Sequence, residues 1–186
     1  MKDWLFQRSK SKKAREYLCI HVTCMLDRFI SGCVNVVGDD GLWQGMPDKD
    51  GYSRIQEPTP EFLPQNLEVE WKSLPVNEMY EILNFPVEIE NANSIIDSTF
   101  EHAASPPDFS EGFEERQYQY SILGCRANDL ANKLRKLSKL PEKNAGEWDA
   151  IEYMKQRKKK IDEVREERRL RIEEMRSNFQ AIEKEK

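Results

Sequence analysis

"YLCIHVTCMLDRFISGCVNVV", residues 17–37, admits three readings, and the choice among them decides the fold. It is a metal-ligand cluster, a membrane span, or the core helix of a soluble bundle. At about 100° per residue, Leu18, Val22, Met25, Leu26, Phe29, Cys33 and Val36 fall in one arc of a helix, and Asp27, Arg28, Ser31 and Asn35 fall opposite. That pattern predicts a helix from about Ser11 to Val37. "GDDG", residues 38–41, then stops it, with Gly38 suited to the position just past the helix end.

The helix disperses the metal cluster. Cys19 and His21 lie about 160° apart on it, and Cys19 and Cys24 about 140° apart. Only His21 and Cys24 share a face, and zinc needs two more ligands. His102, Cys125 and the many carboxylates make no recognisable second half-site. The expectation is no metal and no cofactor, with Cys19 at the core edge and Cys24 packed against another helix as a small hydrophobe.

The membrane reading meets Asp27 and Arg28 in mid-stretch, where each charge is costly. "ISGC", residues 30–33, resembles the lipobox of bacterial lipoproteins, but the same two charges break the apolar run an export signal requires. Four cysteines placed mostly on helices also argue against a secreted disulfide framework. A soluble, cytoplasmic protein with reduced thiols and no membrane partner is expected.

Composition agrees with long solvated helices. Hydrophobic residues make up 38% of the 186 and charged residues 34%, low and high respectively for a globular chain. Charge is unevenly spread: residues 1–37 net +4, residues 38–115 net −15, residues 116–150 net +3 and residues 151–186 net +3. The acidic middle is either neutralised within the fold or presented to a partner.

Outward from the first helix, residues 38–74 hold Gly and Pro and no helical period, which predicts an irregular acidic loop region. Leu42, Trp43, Tyr52, Phe62, Leu63 and Trp71 are its expected anchors. "LEVEW", residues 67–71, alternates like a strand but lacks a partner, so an extended segment laid over the helices is predicted. A second helix opens near Pro75, should break or kink at Phe85 before Pro86, and resumes with Ile89, Ala92, Ile96, Phe100 and Ala103 buried. A third runs from about Ser110 to Leu140, burying Leu123, Ala127, Leu130, Ala131, Leu134 and Leu137.

After the linker "PEKNAGE", Asp149 and Glu152 form a capping-box pattern and Trp148 can staple onto Tyr153. The helix that follows has no Gly or Pro to its end. At that length it leaves the domain or pairs with another helix. A heptad register places Ile151, Met154, Lys158, Ile161, Arg165, Arg168, Ile172, Met175, Phe179 and Ile182 on one seam, apolar at both ends and polar in the middle.

Chemistry is thinly signalled. There is no G-x-S-x-G, no Walker A and no G-x-G-x-x-G, so no catalytic residue is assigned and a non-enzyme is expected. Asp48, Asp50, Gly51 and Glu57 match part of a calcium loop, but Met46 stands where its first ligand belongs. Glu90, Asn93 and Asp97 share a helix face and read as a solvated surface.

The chain thus reads as all-α: an antiparallel helical bundle of three or four helices (residues 1–145, with the irregular acidic loop 38–74) and an extended, charged C-terminal helix (residues 146–186), partly projecting or coiled-coil. The leading function is a non-enzymatic interaction or adaptor protein that binds a protein partner or itself, as a homo-oligomer. Its partner-binding residues would be Ile161, Arg165, Arg168, Ile172, Met175, Phe179 and Ile182. A weaker reading is a nucleic-acid-associated accessory protein using Lys155, Arg157, Lys158, Lys159 and Lys160, although Asp162, Glu163, Glu166 and Glu167 follow directly. The weakest is a small metal-dependent enzyme around His21, Cys24 and His102.

Overall fold

The structure is a computed structural model. It describes the backbone of residues 2–142 and 148–184, with side chains for residues 10–142, 148–177 and 180. Four helices pack against one another: α1 (Lys2–Gly38), α2 (Val76–His102), α3 (Ser110–Ser138) and α4 (Ala150–Lys184). Two single 3-10 turns, Pro64–Asn66 and Trp71–Ser73, punctuate the long loop. No strand occurs among the described residues, only an isolated bridge between Trp43 and Met46.

The α1 stretch is the core helix. Leu18, Val22, Leu26, Phe29, Cys33 and Val36 are fully buried, as the wheel predicts, and Cys19, Ile30 and Val37 join them. By length and composition α1 is apolar enough to cross a bilayer, but here one side of it is covered by α3, α4 and the loop, with Phe29 against Phe85 of α2, while Tyr17 and Ile20 stay exposed. Asp27, expected on the solvent side, turns instead to Arg135 of α3 at 2.5 Å.

α3 is the hub, touching all three other helices. Leu123, Ala127, Leu130, Ala131 and Leu134 are buried along it, and Leu137 packs at the core margin. Glycine makes the closest approaches possible. A Cβ on Gly124 would meet the Met154 sulfur of α4 at 2.4 Å, and one on Gly112 would meet the Phe100 ring of α2 at 2.5 Å.

Several element ends differ from the sequence reading. α1 continues through Gly38, which does not hold a left-handed conformation. The stop comes from Asp39, whose Oδ1 accepts the Gly41 N–H at 2.9 Å, while Gly41 itself turns with φ +81° against the Phe113 ring. α2 runs through Pro86 without interruption. Proline removes one helical hydrogen bond there, but Ile82, Phe85 and Ile89 are buried on both sides of it, and packing outweighs local propensity. Residues 67–71 are irregular, drawn in by the Val69 N–H on the Leu67 carbonyl at 3.0 Å and the Trp71 N–H on the Val69 carbonyl at 3.1 Å, with Leu67, Val69 and Trp71 partly buried against the core.

The loop is pinned at fewer points than its aromatic content implies. Phe62 is buried between Phe29 and Phe85, with centroids 6.3 and 5.4 Å away in edge-to-face geometry. Trp43 stays 67% exposed, and Tyr52 and Leu63 are exposed too. The second fastening is polar. Asp39 is buried at the end of α1, and its Oδ2 accepts the backbone N–H groups of Gln56 and Glu57 at 3.0 Å and Arg116 Nη1 at 2.8 Å. Arg116 Nη2 donates to the Glu57 carbonyl, and Gln117 Nε2 donates to the Asp39 carbonyl at 2.7 Å.

Replacing Arg116 by Met leaves Asp39 without its counter-charge in a closed site. Such a loss costs about 3–5 kcal/mol, and urea unfolding of Arg116→Met against the parent chain is expected to show it.

Candidate functional site

Exposed apolar side chains remain on α4 and on the outer side of α2, as well as at Tyr17 and Ile20 of α1 and at Trp43, Met46 and Ile55 of the loop. α4 begins as the capping residues predict: Asp149 Oδ1 accepts the N–H groups of Ile151 and Glu152 at 2.9 and 3.1 Å. The Trp148 and Tyr153 rings stack with centroids 5.6 Å apart. The capping box is half formed, because the Glu152 carboxylate accepts from Gln156 instead.

The proximal part of α4 is held on α3 by apolar and polar contacts in turn. Met154 and Ile161 are buried. Arg157 Nε donates to Gln117 Oε1 at 3.0 Å, which links α4 to the Asp39–Arg116 network. Arg165 donates to Glu114 and Glu115 at 2.9 and 2.7 Å and lies over the Tyr118 ring at 4.4 Å. Burial works to lower the Arg165 pKa, and the two carboxylates more than offset it. Arg168 reaches Glu114 at 3.2 Å. So of the seam residues, Ile161 belongs to the fold, and Arg165 and Arg168 are engaged with α3.

Beyond Arg165 every described side chain of α4 is exposed. Leu170, Ile172 and Met175 are 51%, 45% and 54% exposed. The side chains of Phe179 and Ile182 lie outside the described residues. Around the helix, Arg168, Arg169, Arg171 and Arg176 flank the Ile172–Met175 face, and Glu166, Glu167, Glu173 and Glu174 occupy the opposite face. Arg171 and Arg176 make no ion pair among the described residues.

The basic run 155–160 is largely spent within the fold. Lys158 pairs with Asp162 at 2.6 Å and lies 4.9 Å from the Tyr118 ring centroid. Lys159 faces Glu163 at 3.7 Å, and Arg157 is bound to Gln117. Lys155 and Lys160 remain solvated without an ion pair among the described residues. Arg8 of the N-terminal basic stretch lies outside the described side chains.

A second exposed surface escaped the sequence reading. Val76, Tyr80, Leu83 and Val87 of α2 are 73%, 65%, 39% and 47% exposed. Their 4-3-4 spacing sets them in one outward stripe. The signal was present in "VNEMYEILNFPV", but the buried set Ile82, Phe85 and Ile89 runs beside it, and two apolar faces on one helix blur the period. Past Val87 the same face continues with exposed Glu90, Asp97 and Glu101, and α2 carries no Lys or Arg. Asn93, expected beside Glu90 and Asp97 on a solvated face, is half-buried and accepts from the Tyr120 hydroxyl at 2.9 Å.

The soft side chains do not converge. His21 packs on the Tyr17 ring at 4.3 Å and His102 stands exposed beside Glu101. Cys24 is exposed rather than packed against a helix, and Cys19 and Cys33 are fully buried. Among the described residues no three His, Cys, Asp or Glu side chains are grouped to hold an ion. Asp48 is a turn clasp: its Oδ1 accepts from Asp50 and Tyr52 N–H, and Arg54 on its Oδ2 holds its carboxyl below the usual range.

Two clefts remain. One of about 850 Å³ lies between α1, the end of α3 and the start of α4, with Asn128, Asn132, Lys136 and Trp148 on its walls. The other, about 350 Å³, lies beside Arg157, Lys160, Asp108 and Glu114. No family model, curated protein or solved structure matches the chain.

Burial separates the thiols, and a thiol reagent on the native chain should modify Cys24 first and Cys19 and Cys33 only on unfolding, as read by intact mass. Burial also pushes the Cys19 and Cys33 thiols up, so they stay neutral in the fold while the unfolded chain ionises near about pH 8.5. Their contribution to stability is whole below that pH and lost as pH rises beyond it. Urea midpoints taken at pH values on either side are expected to fall on the alkaline side.

Proposed function

We propose that this chain is a non-enzymatic interaction protein whose contact element is the distal part of α4. The single observation that carries the reading is the contrast along one helix: one side of it as far as Arg165, through Met154, Arg157 and Ile161, is packed on or bonded to α3, whereas every described side chain beyond Arg165 is exposed, with Leu170, Ile172 and Met175 showing. A helix of that length standing alone is marginal in water. Apolar side chains held on it gain free energy only by meeting another surface.

Residue pairs across the helices support an antiparallel order for the bundle that presents it. Asp39, just past the end of α1, meets Arg116 early in α3, and Asp27 of α1 meets Arg135 late in α3. Lys133 late in α3 meets Glu81 early in α2, and Arg165 meets Glu114. α4 therefore passes the first turn of α3 and continues outward. A reducing, cytoplasmic setting accords with four free thiols. The nucleic-acid reading is the weaker one, because Arg157, Lys158 and Lys159 are already engaged by this chain.

A chain ending at Arg168 keeps every contact named above between α4 and α3. It should retain the parent's helical spectrum and melt within a few degrees of it. Sedimentation of both forms and affinity capture from a cell extract should show association with the full chain alone. Unfolding of the shortened chain, or equal association by both, overturns the reading.

A further inference from the structure

We infer that the distal part of α4 docks on the outer face of α2 in a second copy of this chain. The inference rests on the reading of α4 as the contact helix and names its partner.

The two surfaces match in shape, polarity and charge. α2 offers Val76, Tyr80, Leu83 and Val87 as a ridge along about three helical turns, about 16 Å at 1.5 Å per residue. Distal α4 offers Ile172 and Met175 on a segment from 169 to 184, about 22 Å long. Each is an apolar stripe of the kind one helix buries against another. Each is solvated in the isolated chain.

Charge makes the match specific. The apolar face of distal α4 is bordered by arginines alone, its glutamates being turned to the back. Beyond Val87 the same outward face of α2 continues as an acidic surface, with Glu90 one turn on and Asp97 and Glu101 further along, and α2 carries no Lys or Arg. Glu90 and Asp97 make no ion pair among the described residues, and neither do Arg171 and Arg176. Two cationic α4 faces laid together would place arginines against arginines, whereas α4 on α2 places arginines against carboxylates. The chain thus carries both halves of one complementary pair, and its own fold leaves both uncovered.

One helix on one helix is a small contact. Reciprocal exchange, α4 of each copy on α2 of the other, doubles it towards the about 1,200 Å² of a stable interface and closes a two-fold dimer.

The test is a charge exchange read by sedimentation velocity at several concentrations. The parent chain should sediment as two copies. Glu90→Arg with Asp97→Arg should weaken the dimer at least about tenfold through like-charge contact, and Arg171→Glu with Arg176→Glu should do the same. All four positions are exposed, so the fold is unaffected, and an equimolar mixture of the two variants should restore the dimer because each now complements the other. A monomeric parent, an α2 variant that dimerises as the parent does, or a mixture that stays monomeric overturns the inference. Any of these leaves the role of α4 standing. That role fails on a different result, unchanged association of the chain ending at Arg168.

Discussion

The carboxylate of Asp39 is the point on which the arrangement of this molecule turns. It sits where α1 ends and is closed from solvent, and it accepts from one N–H of the following turn, two N–H groups of the long loop and the guanidinium of Arg116. A buried carboxylate is costly unless its lone pairs are filled. Here they are filled by groups from three separate parts of the chain, so the helix end, the loop and α3 have to come together for any one of them to be satisfied. Gln117, next to Arg116, extends the arrangement to α4 through Arg157. The network is polar in composition, and its effect is to fix the relative register of elements whose apolar faces alone tolerate sliding.

From that anchor the two characters of α4 follow. Up to Arg165 the helix is matched residue by residue to α3, with Met154 against Gly124, Arg157 on Gln117, and Arg165 between Glu114, Glu115 and Tyr118. α3 begins at Ser110, so beyond Arg168 there is nothing left for α4 to lie on. The helix persists with pairs such as Arg169 to Glu166 and Glu173, which favour helix over coil by a few tenths of a kcal/mol each. What it holds up to solvent is an apolar stripe with an arginine border. The outer face of α2, which carries no Lys or Arg, is an exposed apolar counterpart to it.

Legibility in the sequence differed from element to element for physical reasons. The arcs of α1 and α3 are wide and regular, and their buried residues were recognisable from spacing. Asp149 and Trp148 located the start of α4 because a cap is a local interaction. Pro86 misled because its local preference is real but smaller than the burial of Ile82, Phe85 and Ile89 around it. Gly38 misled because a glycine near a helix end is usually its terminator, while here the Asp39 side chain performs that task. Trp43 and Cys24 were placed inside on residue type alone. Both are exposed.

By itself the sequence determined that the chain is helical, where its long elements lie, and that the last helix is long and highly charged. Those properties depend on periodicity and on neighbours within a few residues. Tertiary structure alone decided that Asp27, Asp39, Arg116 and Arg135 are structural rather than solvated, that Arg157 of the basic run is held by Gln117 of α3, and that α2 has a second, exposed apolar face. Each of those depends on which residues distant in sequence meet, such as Asp39 and Arg116. Whether a charge is worth burying is settled by its partner, and a linear sequence does not show the partner.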